Sequence, residues 1–415
     1  MRLSNKNITY YIILACSVLF YISFYKGSLF SICLFLSFAI ILLNIDNRMM
    51  INIVPALLMA IVTLIMLFMS GRMSERGFNA PIGNAQKFVF ILFTQCVAIV
   101  TRQMEKRKKR TILLVTFSTI AVSCVVSIFY ALTQDKYAIR YFEDRGFTNV
   151  MDFNQSYSVP FAFTLIFLFL FSAKKIRMKG RVIALAFIVL SAYFAFVSLY
   201  TTALMFIAIG MAMCFLVLLH EKSKKTFVGF ALLSVFVVAF GVVFRQEISD
   251  FLYDLTENLN WIVQARVRDV IDTVFHTDHG NWYNTDRREE LANYSLNSFF
   301  RHPWFGVGYS GYGYGIIGCH QEWYDMLGVF GLVGTSCFVF LMLFYIWQAY
   351  KYAESQMDKN ALLISVTMFA ILGFLNPCLS KQGLFLVFVI APNLSSLIPE
   401  VEMEITRETI KAGDH

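Results

Sequence analysis

The feature that most restricts this chain is a succession of apolar runs, most of them fifteen to twenty-odd residues long, divided by short polar turns. A helix needs roughly 20 apolar residues to cross the hydrocarbon core of a bilayer, fewer where interfacial residues flank it. On that measure spans fall near 9–24, 28–44, 51–69, 87–101, 111–133, 157–173, 182–199, 203–219, 226–244, 323–347, 361–376 and 384–398. Asn376-Pro377 and Pro392-Asn393 interrupt the last two. Composition agrees, with 58% of the 415 residues apolar and 15% charged, where soluble domains reach about 25% charged. The expected fold is an all-α polytopic membrane protein of about twelve transmembrane helices.

A formal charge of +8 invites a nucleic-acid reading, but the basic residues lie between the spans. Arg102, Lys106, Arg107, Lys108, Lys109 and Arg110 form one run. Lys174, Lys175, Arg177, Lys179 and Arg181 form a second, and Lys222, Lys224 and Lys225 a third. Counting spans puts all three on one side together with Arg2 and Lys6, and the positive-inside rule makes that side the cytoplasm. No nucleic-acid partner is expected. Arg2 and Lys6 ahead of an apolar run could also open a signal peptide. Further spans follow at once without a clear cleavage site, so the segment reads as the first transmembrane helix.

The eight cysteines carry no CxxC or other metal spacing. Cys16, Cys33, Cys96, Cys124, Cys214 and Cys337 fall in apolar segments and read as small core residues. Only Cys319 and Cys378 could face outward, and nothing in the sequence supports a bridge between them.

Residues 1–244 therefore carry nine spans, 245–322 a long extracytoplasmic loop, 323–398 three more spans, and 399–415 a cytoplasmic tail. In the loop, Ile248, Phe251, Leu252, Leu255, Leu259, Ile262, Val263, Val267, Val270, Ile271 and Val274 recur at three- and four-residue steps, an amphipathic pattern. A second helix is expected to open near Asp286 as N-cap, with Glu289 closing a capping box and His302-Pro303 ending it.

Chemistry-bearing residues concentrate in the same loop. Arg287-Arg288 suits bidentate contact with a phosphate or diphosphate, or ion pairs with Asp286, Glu289 and Glu290. His320, Glu322 and Asp325 stand where the loop enters a span. A carboxylate at the depth of Asp325 needs a partner, such as a substrate-binding arginine, or else the three merely cap the helix and mark the interface. The run Gly306 to Gly315 could let backbone N–H groups approach an anion or could be a turn. His276, Asp278 and His279 suggest a metal pair but lack a third ligand cluster. The spans are nearly free of charged residues away from their ends, which argues against an ion-coupled transporter.

These residues resemble the bacterial O-antigen ligase and polysaccharide polymerase superfamily. The likeness rests on Arg288, on the stop Pro303-Trp304-Phe305-Gly306-Val307-Gly308, and on His320 followed by Gly331 and Gly334. It implies a metal-independent, cofactor-free membrane glycosyltransferase of the GT-C type in the bacterial cytoplasmic membrane. The substrates would be oligosaccharides on undecaprenyl diphosphate, with a chain-length regulator as a candidate partner besides the bilayer. Carried over, Arg288 would bind the lipid diphosphate and His320 would position or deprotonate the acceptor hydroxyl. Arg287, Glu322 and Asp325 would be further substrate contacts.

Two departures stand out. Ligase-like members carry an arginine at a short outer turn that here reads Ser198-Leu199-Tyr200-Thr201-Thr202, leaving Arg72, Arg140, Arg145 and Arg266 as substitutes by location. His320-Gln321 also replaces His-Asn, and the spacing of Glu322 and Asp325 after His320 looks more like capsule and exopolysaccharide polymerases. The expected function is a polymerase of lipid-linked repeat units. A ligase of finished polymer is the alternative within the family, and a lipid-linked-oligosaccharide flippase or other transporter the alternative from another class.

Overall fold

The computed structural model describes residues 5–22, 29–45, 48–69, 79–133, 153–173, 176–198, 201–222, 243–257, 264, 267–268, 271, 285–308 and 316–398. Their regular structure is helical, with no strand among the described residues. In chain order the helices are α1 (Asn5–Leu19), α2 (Leu29–Leu43), α3 (Val54–Met69), α4 (Asn79–Arg102), α5 (Lys106–Thr133), α6 (Phe153–Ser172) and α7 (Met178–Val197). Then follow α8 (Thr201–Lys222), α9 (Arg245–Leu255), α10 (Thr285–Arg301), α11 (Glu322–Tyr352), α12 (Gln356–Leu375) and α13 (Lys381–Phe385). A helix lies at each expected span within the described residues, whereas 226–244 falls almost wholly outside them.

Five helices among the described residues are long and apolar enough to cross a membrane: Lys106–Tyr130, Met178–Val197, Thr202–Glu221, Glu322–Tyr352 and Gln356–Leu375. Ser31–Leu43, Met50–Thr63, Ser156–Ser172 and Lys381–Leu397 are apolar but shorter. The last expected span is not a single α-helix. It runs from α13 through a π-helical turn, Leu386–Ile390, into a 3-10 segment, Ala391–Leu397. Pro392 has no N–H to give the carbonyl four residues back, and the backbone changes its winding across that gap. Of the expected amphipathic helix over 248–274, α9 covers the start, and most of the remainder lies outside the described residues.

The interior is packed by aromatic rings and tied by hydroxyls. Phe20, just past α1, meets Phe93 of α4 edge-on at 5.6 Å and Phe385 of α13 at 5.8 Å. Beside it the Tyr21 hydroxyl donates to the Gln382 carbonyl at 2.9 Å, and the Ser123 hydroxyl of α5 donates to the Tyr21 carbonyl at 2.5 Å. Where lipid tails are as apolar as leucine, such bonds and close packing hold helices together. Small residues allow that closeness. Gly210 of α8 faces Thr164 of α6 so tightly that a Cβ would overlap the threonine hydroxyl.

One end of the bundle gathers residues from all three basic runs. Lys108 donates to Asn7 at 2.8 Å, and Lys109 pairs with Glu354 at 2.5 Å. Asn360 donates to Glu221, next to Lys222, at 2.6 Å. Arg110, Arg177 and Lys179 line a common groove. The starts of α1, α5 and α12 and the ends of α8 and α11 thus share this end, as the span count requires. Buried Asp358 holds the corner. It accepts from Ser355 in a capping box and from the backbone N–H and hydroxyl of Ser395, both at 2.6 Å.

Replacing Gly210 with alanine is expected to lower stability by about 1–3 kcal/mol through overpacking. Gly210→Ala combined with Thr164→Ala should recover part of the loss, as read from thermal unfolding in detergent.

Candidate functional site

The site is built where α10 crosses the head of α11, at the opposite end of α11 from Glu354. Helix α10 begins at Thr285. Asp286 therefore lies in its first turn instead of serving as the N-cap, because the chain enters the helix two residues earlier than the capping-box spacing suggested. An acidic residue there still suits the positive end of the helix. Leu291, Ser295 and Ser298 form a buried stripe on one face of α10, at the four- and three-residue steps that share a helix face.

The segment 316–320 runs back along that stripe. The Ser298 hydroxyl donates to the Ile316 carbonyl at 2.5 Å, and the Gly318 N–H donates to the Ser295 hydroxyl at 2.9 Å. Gly318 lies so close to the Leu291 carbonyl that a Cβ would collide with it. Since 316 sits by 298 and 318 by 295 and 291, the chain carries His320 toward the N-terminal half of α10. Arg288 shares the face of Leu291 and Ser295 by register, one turn earlier. The side chains of Arg287 and Arg288 lie outside what the structure describes.

Asp325 is the hub of this loop. Buried on the first turns of α11, it accepts from the Ser295 hydroxyl at 2.6 Å, the Cys319 N–H at 3.1 Å and the Gln321 N–H at 3.2 Å. Cys319 takes a positive φ of 61° to make the turn, and His320 emerges exposed between two residues whose N–H groups Asp325 holds. Glu322 points the other way. Its side chain is 0% exposed, pairs with Lys87 of α4 at 2.5 Å, and accepts from the N–H groups of Cys378 and Leu379 at 3.1 and 3.2 Å. Both carboxylates thus meet protein donors, Asp325 a hydroxyl and two backbone amides and Glu322 a lysine and two more amides.

The stop motif fills a break in α11. Gly331 departs from helical geometry with φ 63° and ψ −167°, and residues 303–308 cross the gap. The Val307 and Gly308 N–H groups donate to the carbonyls of Gly328 and Val329, each at 2.9 Å. In return Leu332 and Val333 donate to the carbonyls of Pro303 and Trp304 at 2.7 and 3.0 Å. Gly306, at φ 66°, and Gly331 touch backbone to backbone, and a Cβ on either would strike the other segment.

Lys87, Ser295, Gly328 and the amides of Cys378 and Leu379 were not singled out by the sequence. Lys87 was visible only as the border of a span, yet α4 starts about two turns before it. Arg72, Arg140, Arg145 and Arg266 lie outside the described residues, as do His276, Asp278, His279 and the Gly/Tyr run 309–315. Among the described residues no group of three or more His, Cys, Asp or Glu side chains is arranged to hold a metal. Cys319 is exposed, whereas Cys378 is buried.

Residues 186–339 match the family model described as O-Antigen ligase. This stretch is similar to O-antigen ligase domains. The match runs from α7 through the break in α11, taking in α10, the stop motif and the Asp325-held loop, and supports the ligase and polymerase superfamily as the motifs implied. Members of this family are membrane glycosyltransferase-like enzymes. A comparison with curated proteins finds no match.

Lys87→Ala leaves Glu322 as an uncompensated buried charge, expected to cost about 3–5 kcal/mol. Lys87→Met with Glu322→Gln should restore much of the unfolding temperature. Gly331→Ala should lower it further than Gly334→Ala, because only Gly331 combines a positive φ with a backbone contact.

Proposed function

We propose that the protein is a polymerase joining undecaprenyl-diphosphate-linked oligosaccharide repeat units into O-antigen, capsular or exopolysaccharide chains. It would work on the outer face of the bacterial cytoplasmic membrane, with about twelve crossings and both termini inside. The observation that supports this most is His320, exposed on a loop fixed by Asp325 and lying in the family-matched segment. Its end of the bundle is opposite the basic runs, the end the positive-inside rule assigns to the outside.

In this reading the acceptor hydroxyl of one unit attacks the anomeric carbon of the growing chain. The carbon–oxygen bond to the diphosphate breaks, and the proton of the hydroxyl passes to His320. Undecaprenyl diphosphate leaves with charge that Arg288 stabilises in place of a metal, aided by Arg287 and by a further cation such as Arg140, Arg145 or Arg266. Glu322 and Asp325, expected as substrate contacts, act here by holding the His320 loop.

A ligase that moves finished polymer to another acceptor is the second reading, favoured by the family description; the spacing of Glu322 and Asp325 after His320 favours the polymerase. Single lipid-linked units accumulate in a null strain if the protein is a polymerase, and whole chains if it is a ligase. Liposomes that move lipid-linked units with no acceptor present would instead indicate a flippase. His320→Ala and Arg288→Ala should each abolish long polymer at unchanged membrane levels of protein, and purified protein should form ladders in the presence of a chelator. Normal chain lengths from a well-expressed His320→Ala variant reject the assignment.

A further inference from the structure

At the basic end of the bundle, far along the helices from His320, a cavity of about 780 Å³ opens between α5, α6, α7 and the end of the 3-10 segment. Its size falls within the roughly 300–1,000 Å³ of pockets that bury a ligand. Its walls are apolar, with Phe117, Phe187 and Leu397 among them. Its rim holds three cations, Arg110, Arg177 and Lys179, and no acidic side chain among the described residues lines it. Arg110 is half-buried, and its Nε is buried without a hydrogen-bond partner.

Apolar walls beneath three positive charges call for an amphiphile of opposite sign. We propose that this groove binds an anionic phospholipid, with its phosphate on Arg110, Arg177 and Lys179 and an acyl chain against Phe117 and Phe187. Basic pockets between membrane helices are suited to such headgroups. The guanidinium of Arg110 supplies a directed donor to phosphate oxygen that a water-filled groove would not need. This site is independent of the polymerase reading and of its substrate.

The test titrates detergent-purified full-length protein with phosphatidylglycerol and with phosphatidylcholine, counting bound lipids by native mass spectrometry. Phosphatidylglycerol should bind at least about tenfold more tightly. Arg177→Ala with Lys179→Ala removes two exposed rim charges and should weaken it about fivefold per charge, leaving phosphatidylcholine and the unfolding temperature unchanged. Lys106→Ala with Lys108→Ala removes as many charges from the neighbouring run and should have no effect. Equal binding of the two lipids, or equal losses in both double variants, overturns the proposal in favour of diffuse attraction. The acidic segment 399–415 follows Leu397 and Ile398 directly. If deleting it raises phosphatidylglycerol binding tenfold, the groove belongs to that segment, and the proposal fails.

Discussion

In hydrocarbon a backbone N–H or carbonyl without a partner costs several kcal/mol, so a membrane helix cannot simply stop and restart. Helix α11 breaks at Gly331, and the protein meets the demand by laying a second stretch of backbone through the gap. Two amides of 303–308 serve the carbonyls of Gly328 and Val329, and two carbonyls serve Leu332 and Val333. Four exchanged bonds make the stop after α10 part of the helix it crosses. They also fix where α10 lies, and hence the surface along which the His320 segment runs.

Two carboxylates three residues apart then divide the work of holding that segment. Asp325 turns toward α10 and gathers a hydroxyl and two amides from the loop. Glu322 turns toward α4 and the 378–379 turn, joining a lysine to two more amides. A carboxylate can accept from several donors at once, which lets each bind several pieces of chain that have no regular structure in common. His320 lies just before the first of them and is left at the surface.

The helical layout was legible because repeated apolar runs of bilayer length satisfy their backbone best as membrane helices, and the grouping of basic residues at one end was legible from the span count and the loop charges together. His320, the stop motif and Gly331 were legible as residues but not as a structure. That Gly306 and Gly331 touch depends on which segments cross, and single-sequence spacing carries no record of it. Lys87 was missed for a related reason. The sequence showed it only as the first residue of a span, and only the arrival of Glu322 from the far end of the chain gives it a partner. Asp286 shows the limit at helix ends, where a side chain suited to capping also serves well in the first turn.

The ion pair of Lys87 with Glu322 joins positions 235 residues apart. At ordinary ribosomal speeds of about 5–20 residues per second, about 10–50 s pass between the synthesis of one and the other. During that interval the lysine sits near the membrane surface without its counter-ion, its flexible stem reaching toward water. The pair can close only once Glu322 has been made, and the amides of Cys378 and Leu379 join its second oxygen later still. The contacts of Glu322 beside the His320 loop are thereby completed only when the end of the bundle has been made.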